Sequence, residues 1–156
     1  MFWTGFDIME IRELGIDDLR EIKKAMLAIF SGDPWNDRWT DRQLDIYVRE
    51  LIGAGNSLSF GLYECGSLIG ISLGRVKHWY EGTEYWIDEF GILSERQGNG
   101  AGSYFLGKIE KILREKEIYT VVLLTERNMP AYRFYKNNGF TEQKNSILFS
   151  KQITGF

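Results

Sequence analysis

Six residues, Gln97-Gly98-Asn99-Gly100-Ala101-Gly102, constrain this chain more than any others. A strand-like run from Tyr85 to Leu93 enters them. An amphipathic stretch from about Ala101 to Lys116, with Phe105, Ile109, Ile112 and Leu113 on one face, leaves them. Glycines at such a strand-to-helix turn allow positive φ and a close backbone approach. The first amides of the helix have no internal acceptors and carry the positive end of its dipole. A phosphate or pyrophosphate suits that arrangement. A Walker loop would end in Gly-Lys-Ser/Thr, and here Gly102 is followed by Ser103-Tyr104. A dinucleotide fingerprint would need a glycine where Ser103 stands and a place near the first βα unit. A glycine-rich turn with no ligand is the plainer reading.

The remaining pattern reads as one α/β domain over residues 1–156. Ile8 to Leu14 alternates as a first strand. Asp17 is expected to cap a helix with Leu19, Ile22, Met26 and Ile29 as its apolar stripe. Thr40 and Gln43 form a capping box for a second helix running to about Ile52. Leu58–Tyr63 and Leu68 to about Trp79 read as a hairpin around Glu64-Cys65-Gly66-Ser67, with a further turn at Glu81-Gly82. Tyr119–Thr125 is apolar and β-branched, which predicts a central strand. Pro130 opens a last helix, Gly139 ends it as a left-handed cap, and Ile147–Ile153 is expected to close the sheet.

Composition narrows the classes. At 156 residues, 44% hydrophobic and 26% charged, the chain can bury a core. Its 19 basic against 22 acidic residues give a net charge of −3, which argues against a nucleic-acid partner. The single cysteine, Cys65, rules out an intrachain disulfide and fits a reducing, cytoplasmic setting. With His78 the only histidine, both read as structural and no metal site is expected. Met1–Asp7 lacks the basic and apolar regions of a signal peptide. No apolar run approaches the ~18 residues of a membrane span. A monomer or homodimer is expected, with Phe2-Trp3 or a C-terminal edge as a dimer contact.

Gln97-x-x-Gly100-x-Gly102 resembles the Q/R-x-x-G-x-G/A signature of the GNAT superfamily of acyl-CoA-dependent N-acetyltransferases. Asn128-x-x-Ala131-x-x-Phe134-Tyr135, followed by Gly139-Phe140, resembles that superfamily's second cofactor motif. The likeness is close over about residues 85–140 and extends to element order before that. It implies a mixed sheet flanked by about four helices, with two strands splayed to hold acetyl-CoA. It implies cofactor contacts from Phe90, Gly91, Ile92, Gln97, Gly98, Asn99, Gly100, Ala101, Gly102, Ser103, Asn128, Ala131 and Phe134. The strand holding Phe90 and the one holding Leu123 would be the splayed pair, and a backbone N–H near Ile92 would stabilise the oxyanion.

The implied reaction is direct attack of an amine on the thioester. A lysine-like amine has a pKa of about 10.4, so reaching the neutral form at neutral pH costs about 4–5 kcal/mol. A carboxylate or an ordered water must take that proton. The leaving thiolate resembles cysteine, about 8.5, against about 10 for tyrosine, so full transfer from Tyr135 is uphill by about 2 kcal/mol. A hydrogen bond from Tyr135 to the departing sulfur is the more economical role; without the likeness, Tyr135 reads as a core aromatic. Glu84, Asp88 and Glu89 are the candidate bases, and alternation puts Glu89 on the face opposite the other two unless a bulge intervenes. Ile87-Asp88-Glu89 resembles an I-D-Q segment of some aminoglycoside 6′-N-acetyltransferases, which singles out Asp88 as the base. The alternative is a salt-bridged or solvated strand carboxylate.

The segments 33–39 and 79–82 flank the acceptor end in the implied fold. Their aromatics and acids, with Trp35, Asp37, Trp39, Trp79, Tyr80 and Glu84 as the candidates, suit a cationic amine. An aromatic mini-core with solvated charges explains the same residues. The expectation is an N-acetyltransferase acting on a small cationic amine, aminoglycoside or polyamine-like. A protein or peptide N-acetyltransferase and a non-catalytic acyl-CoA-binding module are the alternatives.

Overall fold

Local signals start most of the elements. The computed structural model describes residues 8–155, so Met1–Asp7, with Phe2-Trp3, lies outside the described residues. They fall into two compact units, one ending at Leu124 and one beginning at Thr125, and each is described by itself.

The first unit is a five-stranded mixed sheet with three helices. Strands β1 (Met9–Leu14), β2 (Ser57–Glu64), β3 (Ser67–Trp79) and β4 (Gly82–Ile92) form an antiparallel meander, and β5 (Thr120–Leu123) joins β4 in parallel. Helices α1 (Leu19–Phe30) and α2 (Asp41–Gly53) lie between β1 and β2 in the chain, and α3 (Ala101–Glu115) between β4 and β5. The Thr40–Gln43 capping box forms as expected, the Gln43 amide donating to Thr40 Oγ1 at 3.2 Å. Asp17 does not cap α1. It lies inside a short 3-10 turn, Ile16–Asp18, while the next residue's carboxylate accepts the Gly15 amide at 2.9 Å.

The sheet is covered on both faces. Ile22, Met26 and Ile29 of α1 and Leu44, Val48 and Ile52 of α2 pack with Ile71 and Leu73 of β3. Cross-strand register puts Phe60, Ser72 and Phe90 on the opposite face, where Phe90 stacks on Phe105 of α3 at 5.5 Å and Phe60 meets Tyr85 edge-on. A fully buried apolar side chain in these layers, such as Ile71 or Phe60, contributes about 1.5–3 kcal/mol.

The second unit holds α4 (Pro130–Asn137), with Pro130 in the first turn as read from the sequence. Gly139 takes φ 87°, and the Phe140 amide donates to Tyr135 O at 3.0 Å, the expected left-handed end. Two expectations fail, one in each unit. Residues 147–153 form no strand, and β5 is a four-residue strand at the sheet edge instead of a long central one. An apolar alternating run becomes a strand only when a neighbour supplies hydrogen bonds along its length.

Candidate active site

The site is organised by a bulge in β4. Pairing with β3 runs from Trp79↔Gly82 to Gly74↔Ile87, then resumes at Leu73↔Glu89. Asp88 is the extra residue. Simple alternation would send Asp88 and Glu89 to opposite faces. The bulge sends both to the face covered by α1 and α2, as Glu89 bonds Tyr47 of α2 and Asp88 bonds Arg75 of β3. Gly74 allows the kink, because a Cβ there would sit 2.4 Å from Trp86 O and 2.6 Å from the Tyr85 ring.

Glu89 receives a 2.5 Å hydrogen bond from the Tyr47 hydroxyl. Trp39 stacks on Tyr47 with centroids 5.1 Å apart, fixing the ring that makes this bond. Burial raises the Glu89 pKa above the ordinary carboxylate range; the Tyr47 bond opposes this, and the charges of Asp37 and Asp88 add to it. Burial and Glu89 itself push Tyr47 far up, so it stays a neutral donor. The Trp39 indole N–H is buried with no acceptor among the described residues. Beside it lies an open depression of about 330 Å³ lined by Asp37, Arg38, Trp39 and Gln43.

Asp88 has a different partner. Arg75 Nη1 lies 3.2 and 3.3 Å from its two oxygens. Burial raises the Asp88 pKa and Arg75 opposes that. Further along the hairpin, cations cover aromatic faces: Lys77 Nζ stands 4.4 Å from the Trp79 centroid and 5.1 Å from that of Trp86, and Arg75 lies 5.6 Å from the latter. Tyr80 tilts against Trp79, and Glu84 accepts from the Trp86 indole at 3.4 Å. The expected acceptor wall therefore divides. Trp35 packs edge-on against Phe30 at the core, Asp37 and Trp39 join the Glu89 cluster, and Trp79, Tyr80 and Glu84 belong to the hairpin.

The glycine loop has the geometry an anion needs. Gly98 and Gly100 take φ 81° and 83°, and α3 starts at Ala101 with no side chain capping its amides. The first amides are thus left for an exogenous acceptor. Gln97 ties the loop to β4, its Nε2 donating to Ile92 O at 2.8 Å. Pairing between β4 and β5 stops at Ile87↔Leu123, while β4 continues through Phe90, Gly91 and Ile92. β5 itself ends at Leu123, so its pairing with β4 goes no further than Ile87 within this unit. The Gly98–Ser103 backbone, with Asn99 between the two turning glycines, fits the diphosphate of a coenzyme A derivative.

A model of the acetyltransferase (GNAT) family matches residues 17–140, running through both units. The chain belongs to the GNAT family. Solved structures share its fold at low identity. One is an aminoglycoside acetyltransferase, meta-AAC0020, from an uncultured soil metagenomic sample, in complex with sisomicin: TM-score 0.75, 16% identity, covering 95% of this chain and 98% of that one. A possible acetyltransferase from Clostridium difficile 630 has a TM-score of 0.79 at 18% identity, covering 94% and 99%. AAC(6')-Iy, in complex with a bisubstrate analog, has 0.72 at 17%, covering 93% and 99%. No curated protein matches.

Within this GNAT domain the second motif is ordered by its own contacts. Asn138 Nδ2 donates to Phe134 O at 2.8 Å, and Tyr135 packs edge-on against Phe134 and Phe140. Asn128 and Ala131 lie on the approach to and first turn of α4. Among the described residues no three His, Cys, Asp or Glu could hold a metal, and no helix is long and apolar enough to cross a membrane. Tyr47 and Arg75 went unnoticed in the sequence. The signal available for Tyr47 was its position one residue before Val48, on the edge of the α2 apolar stripe.

Proposed function

We propose that this GNAT protein transfers an acetyl group from acetyl-CoA to a primary amine of a small cationic molecule. The observation that carries this reading is the gathering of Asp37, Asp88 and Glu89 around stacked Trp39 and Tyr47, next to the stretch of β4 that β5 leaves unpaired. Carboxylates and aromatic faces attract an ammonium group. The Trp39 indole N–H is buried without an acceptor among the described residues, and a hydroxyl or ether oxygen, which aminosugars carry, would satisfy it if bound deeply enough to reach it.

Acetyl-CoA supplies the activated acetyl group. The chain's residues divide the remaining work. The α3 amides from Ala101 to Ser103, with Gly98, Asn99, Gly100 and Gly102, hold the diphosphate; Phe90, Gly91 and Ile92 present backbone groups, with an N–H near Ile92 opposing the charge that develops on the carbonyl oxygen. Asn128, Ala131 and Phe134 contribute from the second motif. A β4 carboxylate, Asp88 or its neighbour, takes the amine proton, and Tyr135 donates a hydrogen bond to the departing sulfur. Aminoglycosides and polyamines are the acceptor classes that fit, and the aminoglycoside acetyltransferases of the same fold motivate testing the former first.

The test is free-thiol release from acetyl-CoA against aminoglycosides, polyamines, amino acids and peptides. Release with one class of small amine is expected. Release with peptides alone would replace this reading with protein acetylation. Acetyl-CoA binding with no release from any acceptor would favour the binding module.

A further inference from the structure

Two carboxylates stand side by side at the β4 bulge, and their partners differ in kind. Asp88 faces a permanent cation, Arg75, with both oxygens in reach of the same nitrogen. The guanidinium opposes the rise that burial gives the Asp88 pKa, and it lies against both oxygens that an incoming proton would need. Glu89 faces a neutral hydroxyl. Tyr47 orients Oε1 and leaves the charge in place, and among the described residues no second donor reaches this carboxylate. Glu89 also sits one residue before Phe90-Gly91-Ile92, past the end of the β5 pairing.

We propose that Glu89 is the group that takes the proton from the acceptor amine, that Tyr47, braced by Trp39, is its positioning residue, and that the Asp88–Arg75 pair sets the local charge without moving the proton. The assignment rests on the acetyltransfer reading above. Glu89 takes one proton from the ammonium nitrogen. The lone pair so freed makes the C–N bond as the C–S bond breaks. The second proton leaves the nitrogen for the sulfur, and Glu89 returns its own to solvent.

The groups acting on Glu89 are Tyr47 on α2, Asp37 on the loop before it and Asp88 on β4, whose own partner is Arg75 on β3. Their signs make opposite predictions. The Tyr47 bond lowers the Glu89 pKa, so Tyr47→Phe should move the acidic limb of the rate profile to higher pH. The Asp88 charge raises it, so Asp88→Asn should move the limb to lower pH. Glu89→Gln keeps an acceptor for Tyr47 and removes the base.

The experiment uses the full chain with the amine that the thiol-release panel identifies. It measures kcat, KM and the pH–rate profile for wild type, Glu89→Gln, Glu89→Asp, Tyr47→Phe and Asp88→Asn. Carbon-13 titration of the Glu89 carboxyl in wild type and Tyr47→Phe runs in parallel without substrate. The expected result is a kcat loss of about 100- to 10,000-fold in Glu89→Gln with acetyl-CoA binding retained. Partial recovery is expected in Glu89→Asp, with opposed limb shifts in the other two variants and an upward carboxyl shift in Tyr47→Phe. Active wild type with Glu89→Gln within about threefold of it, or with Asp88→Asn abolishing the acidic limb, overturns the assignment and leaves the acetyltransfer reading standing. Wild type inactive on every amine removes that reading and this assignment with it.

Discussion

The two ends of one face of the β3–β4 ribbon use the same residue classes to opposite effect. Near the bulge, Trp39 and Tyr47 stack on each other and direct a hydroxyl at Glu89, with Asp37 and Asp88 close by. Toward the hairpin tip, Trp79 and Trp86 turn their faces to Lys77, and Trp86 also to Arg75. An aromatic beside an acid attracts a cation, whereas an aromatic already covered by a lysine has its attractive face in use. In sequence both segments read as aromatic and charged. Only the contacts assign the sign of the charge each aromatic serves.

The largest expected contrast is between carboxylates at the two ends. Glu89→Gln should lower kcat by about 100-fold or more, equivalent to about 3 kcal/mol or more of transition-state stabilisation. Glu84→Gln should act through KM alone, since Glu84 is engaged by the Trp86 indole at the other end. Steady-state kinetics with one amine read both. Equal effects on kcat would erase the distinction between the two ends.

Next in size is the bulge that separates them. Gly74→Ala places a Cβ against Trp86 O and the buried Tyr85 ring, contacts that neither backbone nor core can relieve cheaply. The expected destabilisation is about 1–3 kcal/mol, the usual range for overpacking, read by urea denaturation. Any folded fraction should show the kcat deficit of a misplaced Glu89. Unchanged stability with unchanged kcat would mean that the bulge does not set the site.

What the sequence made legible follows the range of the interactions. The Thr40–Gln43 box and the Gly98–Gly100 turn involve residues within a few positions of each other, and both formed as read. The bulge depends on how residues 73 and 74 meet residues 87 and 89, a register between separate strands. Nothing local to Asp88 announces it. The Lys77–Trp79 contact was open to reading, because residues two apart on a strand share a face. The failed strand at 147–153 and the edge position of β5 have one lesson between them: apolar alternation states a capacity for pairing and names no partner.

A third prediction concerns the stability that accompanies a raised carboxylate. The folded-state pKa of Glu89 lies above its unfolded value, so the folded chain binds the proton more tightly. Its contribution to stability is therefore present at acidic pH and declines as pH rises from the ordinary carboxylate range through the raised value. At neutral pH the buried charge opposes folding. Glu89→Gln should flatten that part of the stability–pH curve and be at least as stable as wild type at neutral pH. A variant less stable than wild type there would mean that the charged Tyr47–Glu89 bond outweighs the cost of burial.

The smallest expected effect tests the hairpin. Lys77→Ala uncovers Trp79 and removes a positive charge that repels a cationic acceptor. An exposed cation–π contact is worth about 0.5–1 kcal/mol, so if the hairpin faces the acceptor, KM for a polyamine should fall by about 2- to 5-fold with kcat unchanged. The effect should shrink with added salt, because a screened charge repels less. An unchanged KM at low salt would remove the hairpin from the acceptor wall and leave the bulge end as the place where the cation is held. A rise in KM would mean that Lys77 holds Trp79 where the acceptor needs it, which would make the two ends partners in binding instead of opposites.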